Sequence, residues 1–480
     1  MEHPIDTRRQ IMERKGLIAL IFAAFISRAY SLYATRGYIH PDNLYQILEP
    51  AHRFVYGYGV VTWEFVYGMR SWMQPLLTAM IFRAGLMAGL DDIGQLIFLN
   101  RGLMTLFSLG LLYVIYKSGC VMYGRKTGEY ALFFAVFSTV LYSWSADTSS
   151  TIPATLFSTL AAFLTYKGIK YGGLRDTLLG GMSLGVAFMF RFDSMLFLIP
   201  LSAFLLLKKD VRVMASFGTG LAAMIFIQGA LDYFTWGSFL HSPIAFVWNN
   251  LYLGKSSLFG TESPLFYTIV FAFHISCLFL ISYAMEKRYE TAYVSSLILF
   301  FLGVYTMLPH KELRFITPIL PFLFIIAGRG FEKAVTFHGD RVKHIIIILT
   351  IAQFLIISAD FQWFFNVDSF KATRYVGARE DSVGMAYTMK WFDAGLYTYL
   401  NKRIPAVFIA DRTWDPLMEP VNCSKVDMDH IGYQCSPLAD VLAEENINYV
   451  VSAKISRKNF LERFEEKERF GKFIVYKRIT

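Results

Sequence analysis

The feature that constrains this chain most is a series of apolar stretches separated by short polar segments rich in Lys and Arg. Each stretch runs roughly 17–25 residues, and a helix of that length crosses about 30 Å of hydrocarbon. Of the 480 residues, 55% are hydrophobic and only 17% charged, with a mean hydropathy of +0.41. Several soluble domains are thereby excluded, and a polytopic membrane protein is expected. The net charge of +9 does not indicate nucleic acid, because the basic residues fall mostly in short loops, where they set the direction of each crossing. No cleavable leader is expected, since both signs of charge occur before the first span and no small-residue cleavage site follows it. Four cysteines are too few for a disulfide scaffold, and Cys120 and Cys277 fall in or beside spans.

Charge then decides the crossings. The first span, Gly16 to Tyr33, follows Arg8, Arg9, Arg14 and Lys15, which places the N-terminus in the cytosol and His40 on the far side. Leu44, Ile47, Leu48, Ala51, Phe54 and Val55 recur at helical spacing and end at Gly57-Tyr58-Gly59. They predict an amphipathic helix lying in the membrane interface. Residues 72–90 are apolar, but Pro75, Arg83 and Asp91-Asp92 interrupt or close the run. Counting it as a crossing would put Arg125-Lys126, Lys208-Lys209 and Lys287-Arg288 outside. It is therefore expected to be a re-entrant or juxtamembrane helix, and the first outer loop extends over about 37–92. The later crossings are expected at 93–116, 129–145, 152–170, 177–190, 195–207, 213–231, 265–285, 291–308, 316–328 and 344–360. With the first they make about eleven, an odd number that puts the C-terminus opposite the N-terminus.

After residue 362 the character changes. Gly384–Leu400 is expected to be helical, Ala406–Ala410 a strand, Leu438–Glu445 a helix, Asn448–Ser452 a strand, Lys458–Glu466 a charged helix and Lys472–Tyr476 a strand. The expected organisation is thus mainly α: a transmembrane catalytic domain over 1–362 and a small extracytosolic α/β domain over 363–480. Outside the cytosol Cys423 and Cys435 are compatible with a disulfide as well as with a free buried pair.

That topology gathers polar clusters at one membrane face. They are Asp42, Glu49, His52, Arg53, Glu64 and Arg70 in the first loop, Asp147, Arg191 with Asp193, and His310–Arg314. Ionisable groups at membrane depth are costly and mark functional cavities. Carboxylates beside Arg and Lys at an interface suit transfer from a phosphate-bearing lipid to a hydroxyl. The carboxylate takes the hydroxyl proton, and the cations hold the departing phosphate. No metal-ligand spacing, P-loop or GxGxxG turn is present in the sequence, so no metal and no soluble nucleotide donor are expected.

His40-Pro41-Asp42, Glu49-Pro50-Ala51-His52-Arg53, Gly57-Tyr58-Gly59, Thr62-Trp63-Glu64, Met69-Arg70-Ser71 and His310-Lys311-Glu312-Leu313-Arg314-Phe315 carry a family resemblance. In that order they resemble the first lumenal loop and the HKExRF signature of the dolichyl-phosphate-mannose-dependent α-mannosyltransferases, GT-C enzymes that extend GPI anchors and the lipid-linked oligosaccharide. The pattern looks most similar to the branch adding the third GPI mannose, then to the α1,2-adding branch of oligosaccharide assembly. The resemblance implies a GT-C fold and an inverting transfer from a polyprenyl-phosphate mannose donor to a lipid-linked glycan, with no cofactor. It implies that Asp42 is the catalytic base and that Lys311 and Arg314, assisted by His310 and Arg191, hold the donor phosphate. Glu49, His52, Arg53, Trp63, Glu64, Arg70 and Asp147 are then expected to line the acceptor cleft. This chain has Asn43 where the family usually has Glu, which removes a second carboxylate. A eukaryotic member implies the endoplasmic reticulum membrane, a prokaryotic one the cytoplasmic membrane and another sugar or acceptor. A lipid-linked-sugar transporter is the rival class, but the internal repeats it predicts are not visible in the sequence.

Overall fold

The structure, a computed structural model, describes residues 4–269, 280–281, 283–360, 366–389, 393–409, 435–436, 446–453 and 463–479. Its described part is mainly helical, and six helices are long and apolar enough to cross a membrane. These are Lys15–Ala34, Ile93–Tyr123, Val211–Trp236, Tyr289–Met307, Leu313–His338 and Asp340–Ser358. The expected crossing at 265–285 falls largely on residues outside the described set.

The helix Thr151–Tyr171 sits at the centre of this bundle, packed on Ile93–Tyr123 and Leu174–Phe190. It carries buried Thr155, Ser158, Thr159 and Thr165 rather than a continuous apolar surface. The Thr155 and Thr159 hydroxyls donate to the carbonyls of Thr151 and Thr155, at 2.8 and 2.7 Å. Local bonding of this kind lets a helix hide hydroxyls without a partner chain. Helices Leu174–Phe190 and Val211–Trp236 approach almost backbone to backbone. A methyl group at Gly181 would overlap the Phe217 carbonyl, and one at Gly220 the Leu178 carbonyl, as small residues permit in membrane helix pairs.

The stretch expected to cross at 129–145 is broken. A helix runs Arg125–Val136, Ser138 caps a short helix Thr139–Ser143 through the Leu141 N–H, and a tight turn follows at Trp144–Ala146. The break frees carbonyls that need donors. Arg28, fully buried, supplies them: its guanidinium donates to Val136 O at 2.9 Å and Ala135 O at 3.3 Å. The helix expected at 316–328 instead begins with a tight turn, Leu313–Ile319, and continues as Leu320–His338.

Residues 72–90 form a single helix, Met73–Met87, of 15 residues. Its length, about 22 Å, falls short of the hydrocarbon thickness. The expectation of an interfacial helix after Asp42 is corrected. Asn43–Leu48 is a wide π-helical turn that runs into the helix Glu49–Tyr56. Leu44, Tyr45, Leu48, Glu49, Ala51 and His52 are all buried. Most of the segment is covered, by Met73–Met87 and Leu396–Leu400, and Phe54 alone of its large apolar residues stays exposed.

The C-terminal part contains a six-stranded sheet of order β3-β2-β1-β4-β6-β5. Its strands are β1 (Met385–Thr388), β2 (Ala406–Ile409), β3 (Cys435–Ser436), β4 (Tyr449–Ser452), β5 (Phe464–Phe470) and β6 (Phe473–Arg478). Strands β3, β2, β1 and β4 are parallel, and β6 and β5 add antiparallel. Two sequence expectations are corrected here. Gly384–Leu400 is not helical throughout: Met385, Ala386 and Tyr387 are fully buried in β1, and among the described residues the α-helix there is Leu396–Leu400. A short run buried on both faces gives no period by which to tell strand from helix. Phe464–Glu466 belongs to edge strand β5 rather than to a helix, and its charged residues face outward, as edge strands require. The helix expected at Leu438–Glu445, residues 458–462, Cys277 and Cys423 lie outside the described residues.

The sheet does not have a core of its own alone. Leu44, Leu48, Phe82 and Leu96 pack in one cluster with Phe370, Met385, Tyr387 and Leu396. Glu49 bolts the two together: its buried carboxylate accepts from Val60 N–H (2.8 Å), Thr398 N–H (2.8 Å) and the Thr398 hydroxyl (2.7 Å). Replacing Glu49 by Ala strands two buried N–H donors at a cost of about 1–3 kcal/mol each. The expected outcome is a lowered thermal midpoint in detergent and faster protease release of the C-terminal part, read by gel.

Candidate active site

The first loop is set by what captures the end of the first helix. The Arg101 guanidinium donates to the carbonyls of Thr35 and Gly37, just after that helix ends at Ala34. Tyr38 then packs on Phe370 at 5.3 Å between ring centroids. The Pro41 carbonyl accepts from the N–H groups of Leu44 (2.9 Å) and Tyr45 (3.0 Å). Asp42 therefore stands at the N-cap of the π turn, but its side chain makes no capping bond. The carboxylate is left to face another part of the chain.

That part is the 310–315 signature. Arg314 Nη2 lies 2.7 Å from Asp42 Oδ2, while its Nε and Nη2 donate to Glu312 at 2.6 and 3.1 Å. Glu312 is extended (φ −137°) just before the tight turn, which aims its side chain back along its own segment. It also meets His40 Nε2 at 3.2 Å and His310 Nε2 at 3.0 Å. His310 Nδ1 faces the Gly260 carbonyl at 2.9 Å. Both ring nitrogens of His310 thus face acceptors; burial would lower the imidazole, but the Glu312 carboxylate outweighs it and raises the ring above its ordinary value. Burial would raise the Asp42 carboxyl, but Arg314 overrides it and holds Asp42 far below the usual carboxylate range. The same guanidinium overrides burial at Glu312, which is lowered likewise.

Lys311 is arranged differently. Its side chain is almost wholly buried, and its ammonium donates to the backbone carbonyls of Glu262 (3.1 Å) and Leu308. Among the described residues no carboxylate pairs with it. Arg191 is clamped on Asp193 at 3.0 and 2.6 Å, and Tyr305 donates to the same carboxylate. Its guanidinium lies 5.7 Å from the Phe315 ring, and Arg314 lies 5.4 Å from that ring. Phe315 thus brings the two arginines together.

The first loop contributes a wall. Trp63 stacks on Phe259 at 5.6 Å, and Phe259 reaches His310 at 6.3 Å. Glu64 and Arg70 form a buried pair behind it, with Arg70 over Phe246 at 5.5 Å. Burial raises the Glu64 carboxyl against the pull of Arg70. Asp147 is buried and takes bonds from Asn43 Nδ2 and from Ser149 N–H (2.9 Å). It touches the Asp42 turn through Asn43, and burial raises its carboxyl.

Three expected cleft residues are corrected. Glu49 forms the joint described above. His52 is fully buried against Tyr56 (4.5 Å, stacked) and bonds to Asn401 at 3.2 Å. Its desolvation pushes the imidazole down to about 4, so it is neutral. Arg53 donates to Gly59 O at 2.9 Å and holds the turn in which Gly57 takes φ +79°. Glu49 and His52 point into the packed joint with the C-terminal part, and half-buried Arg53 closes the turn after its own helix. Sequence reasoning had not selected His40 and Glu312 as site residues, although both belong to the recognised signatures. The contributions of Phe259, Gly260 and Glu262 had no signal short of the fold.

Removing Arg314 takes from Asp42 and Glu312 the guanidinium they share and leaves them only the imidazoles of His40 and His310, a loss of roughly 3–5 kcal/mol for a buried pair. In the wild type, the lowered carboxyls of Asp42 and Glu312 give stability that is present above about pH 5 and lost below it. In Arg314→Met the sign inverts, because buried carboxyls without the guanidinium favour their protonated forms. Its thermal midpoint is expected to rise more on acidification from pH 7 to pH 5 than that of the wild type; differential scanning fluorimetry in detergent reads both.

A family model described as the Alg9-like mannosyltransferase family matches residues 20–393. Among relatives, the mannosyltransferase APTG1 of Arabidopsis thaliana is 28% identical over 320 residues, covering 64% of this chain and 57% of its own length. The GPI mannosyltransferase 3 of Yarrowia lipolytica is 23% identical over 403 residues, 82% of this chain and 77% of the relative. The human GPI alpha-1,2-mannosyltransferase 3 is 24% identical over 365 residues, 71% and 63% of the two chains. The alignments thus span about three fifths to three quarters of these relatives. Among solved structures, ArnT from Cupriavidus metallidurans bound to undecaprenyl phosphate superposes with a TM-score of 0.69 at 11% identity, covering 96% of this chain and 98% of ArnT. Archaeoglobus fulgidus AglB, in complex with an inhibitory peptide and a dolichol-phosphate, gives 0.51 at 10% identity over 92% and 69% of the chains. At such identities the likeness is one of fold. With a matching family model over most of its length, the chain belongs to the Alg9-like mannosyltransferase family.

Proposed function

We propose that this membrane glycosyltransferase moves mannose from a polyprenyl-phosphate mannose to a hydroxyl of a lipid-linked, GPI-type glycan, forming an α-mannoside by inversion. One observation carries the reading: the Asp42 carboxylate and the Arg314 guanidinium meet from distant parts of the chain. In this reading the acceptor oxygen attacks the anomeric carbon while Asp42 takes its proton. The bond from the anomeric carbon to the phosphate oxygen breaks with both electrons on the phosphate. Lys311, with a donor N–H beyond its two carbonyl bonds, is the first cation to receive that charge, and Arg314 and Arg191 follow. Trp63 and the Glu64–Arg70 pair shape the acceptor side. The donor phosphodiester is itself the activated leaving group, so no cofactor is invoked.

The same reading gives about eleven crossings with the N-terminus cytosolic, and places the first loop and the sheet outside the cytosol. Their shared core supports it, since two segments packed together lie on one side of a membrane. In a eukaryotic cell that membrane is the endoplasmic reticulum's.

Purified protein given radiolabelled polyprenyl-phosphate mannose and a GPI-precursor lipid extract is expected to form a mannosylated lipid. Parallel glucose and arabinose donors are expected to give none, and preference for either would overturn the assignment of the sugar. Asp42→Asn is expected to lower kcat by on the order of 10²–10⁴-fold with donor KM nearly unchanged. For topology, Asp91→Cys on a cysteine-free background is expected to react with an impermeant maleimide only from the non-cytosolic side.

A further inference from the structure

The reading above leaves a proton unaccounted for. Asp42 takes it from the acceptor hydroxyl, yet the Asp42 carboxylate is bound to Arg314 at 2.7 Å, which makes it a poor place for a proton to remain. For the next turnover the proton has to leave. The group beside it is His40, whose Nδ1 lies 3.3 Å from Asp42 Oδ1.

Both histidines of this cluster touch Glu312, but His40 also touches Asp42, whereas His310 has the Gly260 carbonyl at its other nitrogen. His40 Nδ1 lies 3.3 Å from Asp42 Oδ1 and faces the Asp42 backbone N–H, also at 3.3 Å. In the neutral ring that N–H selects the tautomer with hydrogen on Nε2, facing Glu312 Oε2 at 3.2 Å. Nδ1 is then open to a proton carried on Asp42, and the cation so formed has a carboxylate at each nitrogen. Such a carboxylate–imidazole–carboxylate chain accepts a proton at one end and stabilises the resulting cation at the other.

We propose that His40 is the relay through which the proton taken up by Asp42 leaves the site, an inference that rests on the glycosyl-transfer reading. The hydroxyl O–H breaks as oxygen bonds to the anomeric carbon, and the proton goes to Asp42 Oδ1. It then passes to His40 Nδ1, restoring the Asp42 carboxylate. The imidazolium is held by Glu312 and releases its proton to water, for which the His40 side chain is 30% exposed. His40 acts through Asp42 and is a positioning residue rather than one touching substrate. The charged groups facing the ring are Asp42 on its own segment and Glu312 and Arg314 on the 308–319 segment. Burial and Arg314 disfavour the cation, but the two carboxylates outweigh them and raise the imidazole above its ordinary value. Transfer needs neutral His40, so the rate rises with pH through that raised value.

The test is the pH dependence of mannosyl transfer by the purified full chain, measured from about pH 5.5 to pH 9. Wild-type kcat is expected to show an acid limb with its midpoint above about 6.5. His40→Gln retains a hydrogen-bonding side chain but does not titrate. It is expected to lose 10-fold or more in kcat, by about the lower end of general-base effects, and to lose the acid limb, with donor KM little changed. His310→Gln is expected to keep the acid limb. An unchanged limb in His40→Gln, or a wild type with no acid limb, overturns the relay; the second outcome needs no variant to fold. A wild type that falls instead on the alkaline side, with the fall removed by His40→Gln, also overturns it, because His40 would then act as a cation. A wild type inert with every polyprenyl-phosphate sugar overturns both the relay and the transfer reading, whereas an active one with an unmoved limb overturns the relay alone.

Discussion

A single guanidinium, that of Arg314, binds Asp42 from the first loop and Glu312 from its own segment. Coulombic attraction in a buried setting is strong, but two carboxylates beside one cation are balanced only if other donors share them. His40 and His310 supply those donors at Glu312. The geometry of the catalytic turn follows. Asp42 is held ionised and oriented before any substrate arrives, so little reorganisation is left for the reaction itself. In the proposed reaction the same pairing disfavours a proton on Asp42, and the titratable ring beside it offers that proton an exit.

Two other buried arginines show how the membrane part tolerates its irregular backbone. Where a helix breaks or ends away from water, the freed carbonyls need donors. Arg28 covers the break after Val136, and Arg101 covers the end of the first helix at Thr35 and Gly37. Neither is described with a carboxylate hydrogen bond. Each turns a helix terminus into a fixed point, and the loops leaving those points carry Asn43 and Asp147 into contact. Structural cations and site geometry are therefore linked: moving either arginine moves the floor under Asp42.

Much of this was legible in the sequence, and the limits are physical. Long apolar runs and loop charges identify a membrane protein because hydrocarbon thickness leaves few alternatives. The charges at Asp42 and 310–315 stand out because they are costly at such a depth. Burial inside a protein, by contrast, defeats pattern reasoning. Glu49, His52 and Arg53 carry the same polar signature as Glu64 and Arg70, yet their partners are Thr398, Asn401 and Gly59. Only the packing of the sheet region on the first loop separates the two sets. Likewise β1 is apolar on both faces, so its sequence has no strand alternation to detect.

Asn43 closes the electrostatic account of the site. A Glu at this position would put a third carboxylate beside Asp42 and direct it at Asp147. Asp147 is already buried and bonded to Ser149. Two carboxylates in contact there would require either a bound proton or a further cation. The Asn43 amide meets Asp147 as a neutral donor and keeps the turn anchored without that requirement. Asn43 therefore anchors the turn through Asp147 while Asp42 keeps its guanidinium partner.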